Sequence, residues 1–236
     1  MKSEGGRPPA SEALRRISES DPDRPMFIGQ LGQSLDGRIA TISGDSYYIN
    51  GAEGLDHLHR LRASVDAVLV GAGTVAADNP QLTVRRCAGR NPARVVIDPR
   101  GRLDPAARWL ADDGARRILV TLPHVEPPPG AERLALGTSG TIDPRAIVEA
   151  LGRLGLRRVL VEGGARTISA FIDAGALDRL HLIVSSVIIG SGQPGLDLQP
   201  RASLAGAMRP RTEVHRLGDS DFLFDCDLRK LEGSGS

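Results

Sequence analysis

Short apolar runs rich in β-branched residues alternate with segments of helical periodicity, and this alternation limits the possible folds more than any other feature of the chain. The apolar runs lie at residues 26–31, 65–70, 94–97, 117–121, 158–161 and 181–185. Parallel strands need crossover connections of about a dozen residues or more, and these are usually helices. The pattern therefore predicts an α/β fold with a largely parallel central sheet flanked by helices.

Helical spacing of apolar residues marks three segments, at 52–62, at 144–154 and between the glycine pair 163–164 and position 175. The second segment starts with strong signals, because Asp143 can cap the helix and Pro144 suits the first helical position. Beyond Pro210, two alternating runs flank a turn of Gly, Asp, Ser and Asp. They predict a terminal antiparallel hairpin at 212–217 and 222–228.

The chain has 236 residues and 40% hydrophobic content, enough for one domain with a sizeable core. We expect that single domain over residues 26–230. Residues 1–25 are rich in Ser, Glu, Arg and Pro, and only Leu14 and Ile17 are spaced for a short amphipathic turn. They are predicted to form a mobile N-terminal extension, and residues 231–236 a flexible tail.

Composition excludes several function classes. The formal net charge is +1 and aromatic residues make up 3%, which argues against nucleic-acid binding. The first 25 residues lack the apolar core of a signal peptide and no apolar run reaches 18 residues, so we expect a cytoplasmic protein without a membrane span. Cys87 and Cys226 lie far apart and are expected to be reduced, and the five histidines have no metal-ligand spacing.

One motif resembles a dinucleotide-binding fingerprint. Gly71, Gly73 and Ala76 follow an apolar run, and Asp98 ends another run about 20 residues later. A Rossmann helix must continue for several turns, however, and Pro80 interrupts this one. We therefore keep a Rossmann domain as an alternative hypothesis. A second alternative is a plain strand-to-loop turn.

Other residues favour phosphate binding. Gly163 and Gly164 stand between a buried run and a helix, where free backbone N–H groups and the helix dipole attract a phosphate, and Glu162 precedes them. Arg62 and Arg85 are candidates for a second phosphate, although each can also be a surface charge. Asp36 is interpreted as a turn residue.

Asp78 follows the Gly-x-Gly turn and precedes Asn79 and Pro80. Aspartate is common in turns because its carboxylate bonds nearby backbone N–H groups. The carboxyl edge of a sheet is also where α/β proteins place ligand contacts. For Asp78 a binding role and a structural role are about equally supported.

Several segments together resemble the pyrimidine reductase domain of riboflavin biosynthesis, which has a dihydrofolate-reductase-like fold. They are Ser-Leu-Asp-Gly-Arg-Ile-Ala at 34–40, Gly-Asp-Ser at 44–46, Leu-Arg-Ala at 61–63, Gly-Thr-Val-Ala-Ala-Asp-Asn-Pro at 73–80, Leu-Thr-Val-Arg at 82–85, Val-Val-Ile-Asp at 95–98 and Val-Glu-Gly-Gly at 161–164. They occur in the family's order and span roughly residues 26–228.

The resemblance implies a reductase that uses NADPH to convert the ribosyl chain of 5-amino-6-(5-phosphoribosylamino)uracil, or of a related phosphoribosyl aminopyrimidine, into ribityl. It assigns to the substrate Ser46, Arg62, Leu82, Arg85 and Glu162, with the arginines on the phosphate and Glu162 on the pyrimidine. It assigns to the cofactor Gly32, Tyr48, Thr74, Asp78, Gly164, Ala165, Arg166, Thr167 and Ile168. Asp78 is the candidate catalytic residue, no metal is implied, and a homodimer is expected.

The chain departs from the family pattern at two positions. Gln30 stands where a lysine is usual, and Tyr48 stands where a tryptophan is usual. An amide cannot replace the charge of a lysine. Two alternatives therefore stay open, a divergent reductase of another small heterocycle such as a pteridine or a dihydrofolate-like compound, and a non-catalytic NADPH-binding protein. For the cofactor's 2′-phosphate, Arg100 and Arg102 are candidates, although they can equally be solvated turn charges.

Overall fold

The structure, a computed structural model, describes residues 11–21, 23–47 and 49–229. The strands of this part of the chain are β1 Met26–Ser34, β2 Arg38–Thr41, β3 Ala67–Gly71, β4 Ala93–Ile97, β5 Arg117–Thr121, β6 Glu132–Ala135, β7 Arg158–Glu162, β8 Arg179–Ser185, β9 Gly192–Pro194, β10 Arg211–Leu217 and β11 Asp221–Asp227. Its α-helices are α1 Ser11–Ser18, α2 Ala52–Ala63, α3 Ala72–Asp78, α4 Pro144–Arg153 and α5 Ala165–Asp173.

Nine strands form one sheet in the order β10-β11-β8-β1-β7-β3-β4-β5-β6. Seven of them run parallel, from β8 to β6, and the hairpin β10-β11 joins β8 antiparallel. The short strands β2 and β9 pair separately. The predicted fold class, a largely parallel sheet with helices and an antiparallel C-terminal hairpin, is confirmed.

The sheet is buried on both faces, as parallel sheets usually are. On one face Phe27 packs in the main core with Phe171 of α5, and their rings stack with centroids 6.2 Å apart. On the other face Leu61 of α2 and Trp109 pack with Leu160 of β7. Burying each of these large side chains stabilises the fold by about 1.5–3 kcal/mol, so the two layers fix where the carboxyl ends of the strands lie.

Part of the expected N-terminal extension is helical. Ser11–Ser18 forms a helix whose Ala13 and Ile17 are fully buried. Arg16 of this helix donates to Glu213 at 2.9 Å, and its guanidinium lies 3.5 Å from Asp225. In the described part of residues 1–25, the helix therefore packs on the sheet through apolar contacts and an ion pair. The expected tail at 231–236 lies outside the described residues.

Most element boundaries agree with the prediction to within one or two residues. Asp143 caps α4 as expected, because its Oδ1 accepts the Arg145 N–H at 2.9 Å. Strand β6 was missed, since its alternating residues are exposed or half-buried and carry little apolar signal. The start of α2 has no side-chain cap of its own, and the Asp221 carboxylate of β11 instead accepts the Gly51 N–H at 2.8 Å.

Among the helices of the described residues, none combines the length and apolar character required to cross a membrane.

Candidate active site

A cleft of about 1130 Å³ opens at the carboxyl ends of the central parallel strands. Its wall includes Gln30 and Gly32 of β1, Gly71 of β3, Ile97 of β4 and Glu162 of β7. Open α/β sheets bind ligands at this edge, because the strand-to-helix turns and the helix N-termini gather there. A cavity of this size can hold a dinucleotide together with a small substrate.

In the lining of the cleft, Arg62 of α2 and Glu162 of β7 form a buried, bidentate ion pair. Arg62 Nε donates to Glu162 Oε1 at 2.7 Å, and Nη2 donates to Oε2 at 2.6 Å. Each side chain is 7% exposed. Burial alone would lower the pKa of Arg62, but the adjacent carboxylate raises it, so the guanidinium stays charged.

The segment after Pro80 packs directly against this pair. Leu82 is buried and has a left-handed backbone with φ of 57°. Arg62 Nη1 donates to the carbonyl oxygen of Thr83 at 3.0 Å. Two residues on, the Arg85 N–H donates to Nδ1 of His59 at 3.0 Å.

Arg85 itself is exposed, and its Nη1 donates to the neutral oxygens of Gln81 at 2.7 Å and Thr83 at 3.1 Å. Partial burial lowers the pKa of Arg85, and the charges of Arg62 and Arg108 lower it further. Three arginines thus share one region, where Arg62 already pairs with Glu162. This concentration of positive charge suits an anion.

Two strand-to-helix turns interlock in the lining of the same cleft. Thr74 of α3 accepts the Gly164 N–H on its hydroxyl oxygen at 3.0 Å. A Cβ at Gly163 would lie 2.5 Å from that hydroxyl, and Gly163 has φ of +95°. In the same way, a Cβ at Gly71 would lie 2.4 Å from the Thr167 hydroxyl of α5. Only glycine allows the two turns to approach this closely.

Helix α3 also lines the cleft. It begins after Gly71 and ends at Asp78, which lines the cleft. Partial burial raises the pKa of the Asp78 carboxyl above its usual range. The next residue, Asn79, ends the helix in a left-handed conformation, and its Oδ1 accepts the Arg108 N–H at 2.8 Å.

The predicted site residues that line the cleft are Gly32, Ser46, Arg62, Thr74, Asp78, Leu82, Glu162, Gly164, Ala165, Arg166 and Thr167. Arg85 lies beside the cleft rather than in its lining. The Ile168 side chain is buried in the core, so only its backbone can face a ligand. Tyr48 lies outside the described residues.

The Rossmann alternative is wrong for this chain. The helix after the Gly-x-Gly turn has only 7 residues. Asp98, which that alternative assigned to a ribose, is 1% exposed and accepts the N–H groups of Arg102 at 2.6 Å and Leu103 at 3.0 Å. The Asp98 carboxylate therefore bonds the backbone of the loop that follows it.

The separate roles predicted for Arg62 and Glu162 did not anticipate that the two side chains bind each other. The sequence also gave no sign of the histidine pair in which Nδ1 of His181 lies 3.0 Å from Nε2 of His57. Asp36 serves its turn as expected, accepting from the Ser34 hydroxyl at 2.6 Å and the Gly190 N–H at 2.7 Å.

Sequence reasoning missed His59, Asn79 and Arg108. The sequence positions of His59 and Arg108 gave no signal of a role at the site, whereas Asn79 before a proline marks a helix end. Within the described residues, no group of three or more His, Cys, Asp or Glu side chains is arranged to hold a metal ion.

Residues 25–213 match the family model described as the RibD C-terminal domain. The chain is 35% identical to the 2,5-diamino-6-ribosylamino-4(3H)-pyrimidinone 5′-phosphate reductase of Methanothermobacter thermautotrophicus, over 71% of this chain and 80% of the relative. It is 32% identical to the riboflavin biosynthesis protein RibD of Aquifex aeolicus, over 86% of this chain and 58% of the relative.

Among solved structures, a diaminohydroxyphosphoribosylaminopyrimidine deaminase/5-amino-6-(5-phosphoribosylamino)uracil reductase from Thermotoga maritima aligns with a TM-score of 0.73 and 33% identity. The alignment covers 86% of this chain and 56% of that one. The chain therefore spans most of the archaeal reductase but little more than half of the two longer proteins. The expected resemblance is confirmed.

Proposed function

Because the chain belongs to the RibD C-terminal domain family, we propose that this oxidoreductase acts in riboflavin biosynthesis and depends on NADPH. Its substrate is 5-amino-6-(5-phosphoribosylamino)uracil or a related phosphoribosyl aminopyrimidine, whose ribosyl chain it reduces to ribityl. One observation carries the proposal: Arg62, the glycine-lined turn at Gly163 and Gly164, and Asp78 at the end of α3 line a single cleft, and Arg85 lies beside it.

The glycine-containing turns of the cleft fit a dinucleotide. Next to Gly73 nothing lies within 4 Å of where a Cβ would stand, so bare backbone faces the cleft. The Gly164 N–H already donates to the Thr74 hydroxyl. The N–H groups of Ala165 and Arg166 lie at the start of α5, where an anion is favoured. We assign to the cofactor the residues just named, Gly73, Thr74, Gly164, Ala165 and Arg166. We also assign to it Gly32, Tyr48, Asp78, Thr167 and the Ile168 backbone.

Bound NADPH supplies the hydride. The protein's part is positioning and electrostatics. Arg85 anchors the substrate phosphate together with Arg62. The two Arg62 N–H groups that bond neither Glu162 nor Thr83 are available for this contact. The Glu162 carboxylate accepts from the pyrimidine edge, and Ser46 and Leu82 complete the substrate wall. Asp78 is the polar group near the reacting carbon.

The preference for NADPH over NADH is assigned to Arg100 and Arg102, which line the cleft beside β4. Replacing both with alanine should lower the ratio of kcat/KM for NADPH to that for NADH by about ten- to a hundredfold, since hydrogen bonds to charged groups contribute about 1.5–3 kcal/mol. The exposed Arg153 on α4 offers a matched control for the loss of charge. An unchanged ratio would refute this assignment.

The deciding experiment is steady-state NADPH oxidation with the uracil substrate and, separately, with its 2,5-diamino counterpart, followed by identification of the ribityl product. Gln30 lies on the cleft wall, 8% exposed, and pairs in register with Glu162. It places a neutral amide, able to donate and accept, beside the pyrimidine. Gln30→Lys should therefore change the kcat/KM ratio of the two substrates.

Turnover of a pteridine or dihydrofolate but of neither aminopyrimidine would favour the divergent reductase. Binding of NADPH without turnover of any of them would favour the non-catalytic protein.

We also propose a cytoplasmic homodimer. The free thiols of Cys87 and Cys226 fit a reducing compartment. On the edge hairpin, Val214 and Phe222 lie on one face and are 55% and 39% exposed. Such an apolar face suits a second copy of the chain. Light scattering should give the dimer mass for the wild type and the monomer mass for Val214→Asp.

A further inference from the structure

His59 has no role in the scheme above, yet it contacts the segment that carries Arg85. It precedes Arg62 by one turn of α2, so the two side chains leave the same face of the helix. Its ring is almost fully buried, and Nδ1 accepts the Arg85 N–H at 3.0 Å. Arg62 Nη1 bonds the Thr83 carbonyl at the same distance. One helix face thus holds the chain on both sides of Val84.

This segment needs such support. Leu82 adopts a left-handed backbone, a conformation that costs about 1–3 kcal/mol in a residue other than glycine and persists only where its surroundings enforce it. In addition, the charges of Arg62 and Arg108 act on the Arg85 guanidinium and repel it. Asn91 Oδ1 supports the segment by accepting the Val84 N–H at 2.8 Å, and His59 gives a second support at Arg85.

The imidazole can act as a tether for Arg85 only in its neutral form, because a protonated ring has no acceptor. Burial lowers the pKa of His59 to about 4, and the charges of Arg62 and Arg85 lower it as well. At neutral pH the ring is therefore uncharged. Since Nδ1 accepts, its proton resides on Nε2.

We propose that His59 is a positioning residue for phosphate recognition: its Nδ1 holds the backbone of residues 82–86 so that Arg85 stays beside Arg62 and both face the phosphate of the substrate. The inference rests on the proposed function for the identity of the substrate, but the tether itself is a property of the folded chain. His59 neither moves a proton nor contacts the reacting carbon.

The test compares three substitutions. Asparagine places an acceptor near the position of Nδ1, glutamine places its amide near Nε2, and leucine has no acceptor. We expect His59→Leu and His59→Gln to raise KM for the phosphorylated substrate about five- to tenfold, the effect of one lost hydrogen bond, with kcat changed less than twofold. His59→Asn should stay within twofold of the wild type. With the dephosphorylated substrate, all should have the same kcat/KM.

His57→Leu is the matched control. It removes another buried histidine of α2, whose partner His181 belongs to β8 and not to the arginine segment. It should lower stability without raising KM. A similar rise in KM for His57→Leu, or equal KM values for all three His59 variants, would overturn the proposal. If His59→Leu does not fold, the contrast between asparagine and glutamine decides.

Titration of the same proteins with ribose 5-phosphate and with ribose separates this inference from the proposed function. If the wild type turns over no aminopyrimidine but binds ribose 5-phosphate more tightly than ribose, and only His59→Asn retains that difference, the function fails and the tether stands. If phosphate adds nothing to wild-type binding, the inference is overturned.

Discussion

Thr74 and Gly164 are 90 residues apart in the chain, and a hydrogen bond of 3.0 Å from the Gly164 N–H to the Thr74 hydroxyl joins them. The bond connects the start of α5 to α3, and so links the two glycine-containing strand-to-helix turns of the cleft. The geometry of the proposed cofactor site therefore depends on a contact between neighbouring turns.

Replacing Thr74 with valine should separate the hydroxyl from the shape of the side chain. Valine keeps the volume but leaves the Gly164 N–H without its acceptor, which should reduce the free energy of unfolding by about 1 kcal/mol. Thr74→Ser keeps the hydroxyl and should lose less. Chemical denaturation of the three proteins measures this, and equal losses for serine and valine would contradict the role of the hydrogen bond.

Gly163 and Gly164 should respond differently to alanine. Gly163 has a positive φ, and its Cβ would lie 2.5 Å from the Thr74 hydroxyl, so Gly163→Ala should destabilise the fold by about 1–3 kcal/mol and weaken NADPH binding. At Gly164 the backbone is ordinary and the nearest atom is 3.6 Å away, so Gly164→Ala should stay within about 0.5 kcal/mol. Thermal unfolding compares the pair, and similar losses would argue against backbone strain.

Asp78→Asn tests the candidate catalytic group. The amide keeps the size of the side chain but cannot carry or release a proton as a carboxyl does. If Asp78 acts at the reacting centre, kcat should fall by about 10²–10⁴, with little change in the Kd of NADPH. A Kd that rises as kcat falls only slightly would instead assign Asp78 to cofactor binding. Asp104, exposed on a nearby loop, provides a control substitution.

Acid should destabilise the protein through His57. Burial lowers the pKa of this histidine to about 3, and the neighbouring His181 contributes. The folded state therefore favours the neutral ring, so this contribution to stability is complete above pH 6.5 and is lost as the pH falls from 6.5 towards 3. The slope for one such group is up to about 1.4 kcal/mol per pH unit.

In His57→Gln the unfolding free energy should fall less steeply across that pH range. The exposed His124 offers a control substitution, His124→Gln. Parallel curves for wild type and His57→Gln would show that other groups dominate acid unfolding.

The local elements follow from the sequence alone. Alternating apolar runs and helical spacing predicted the parallel sheet, and the Asp143 cap and the glycine pair at 163–164 marked where helices begin. These signals are readable because a strand or helix exposes its periodicity within a few residues. The same motifs, in order, were sufficient to suggest the family.

Tertiary packing determines which side chains meet. Arg62 and Glu162 are 100 residues apart and His57 and His181 are 124 apart, and both pairs form because the sheet order places their elements side by side. Periodicity reports that a residue faces inward, but it does not name the partner. For that reason the sequence could not predict three contacts that depend on the packing of α2. They are the buried ion pair, the histidine pair and the hydrogen bond from the Arg85 N–H to His59.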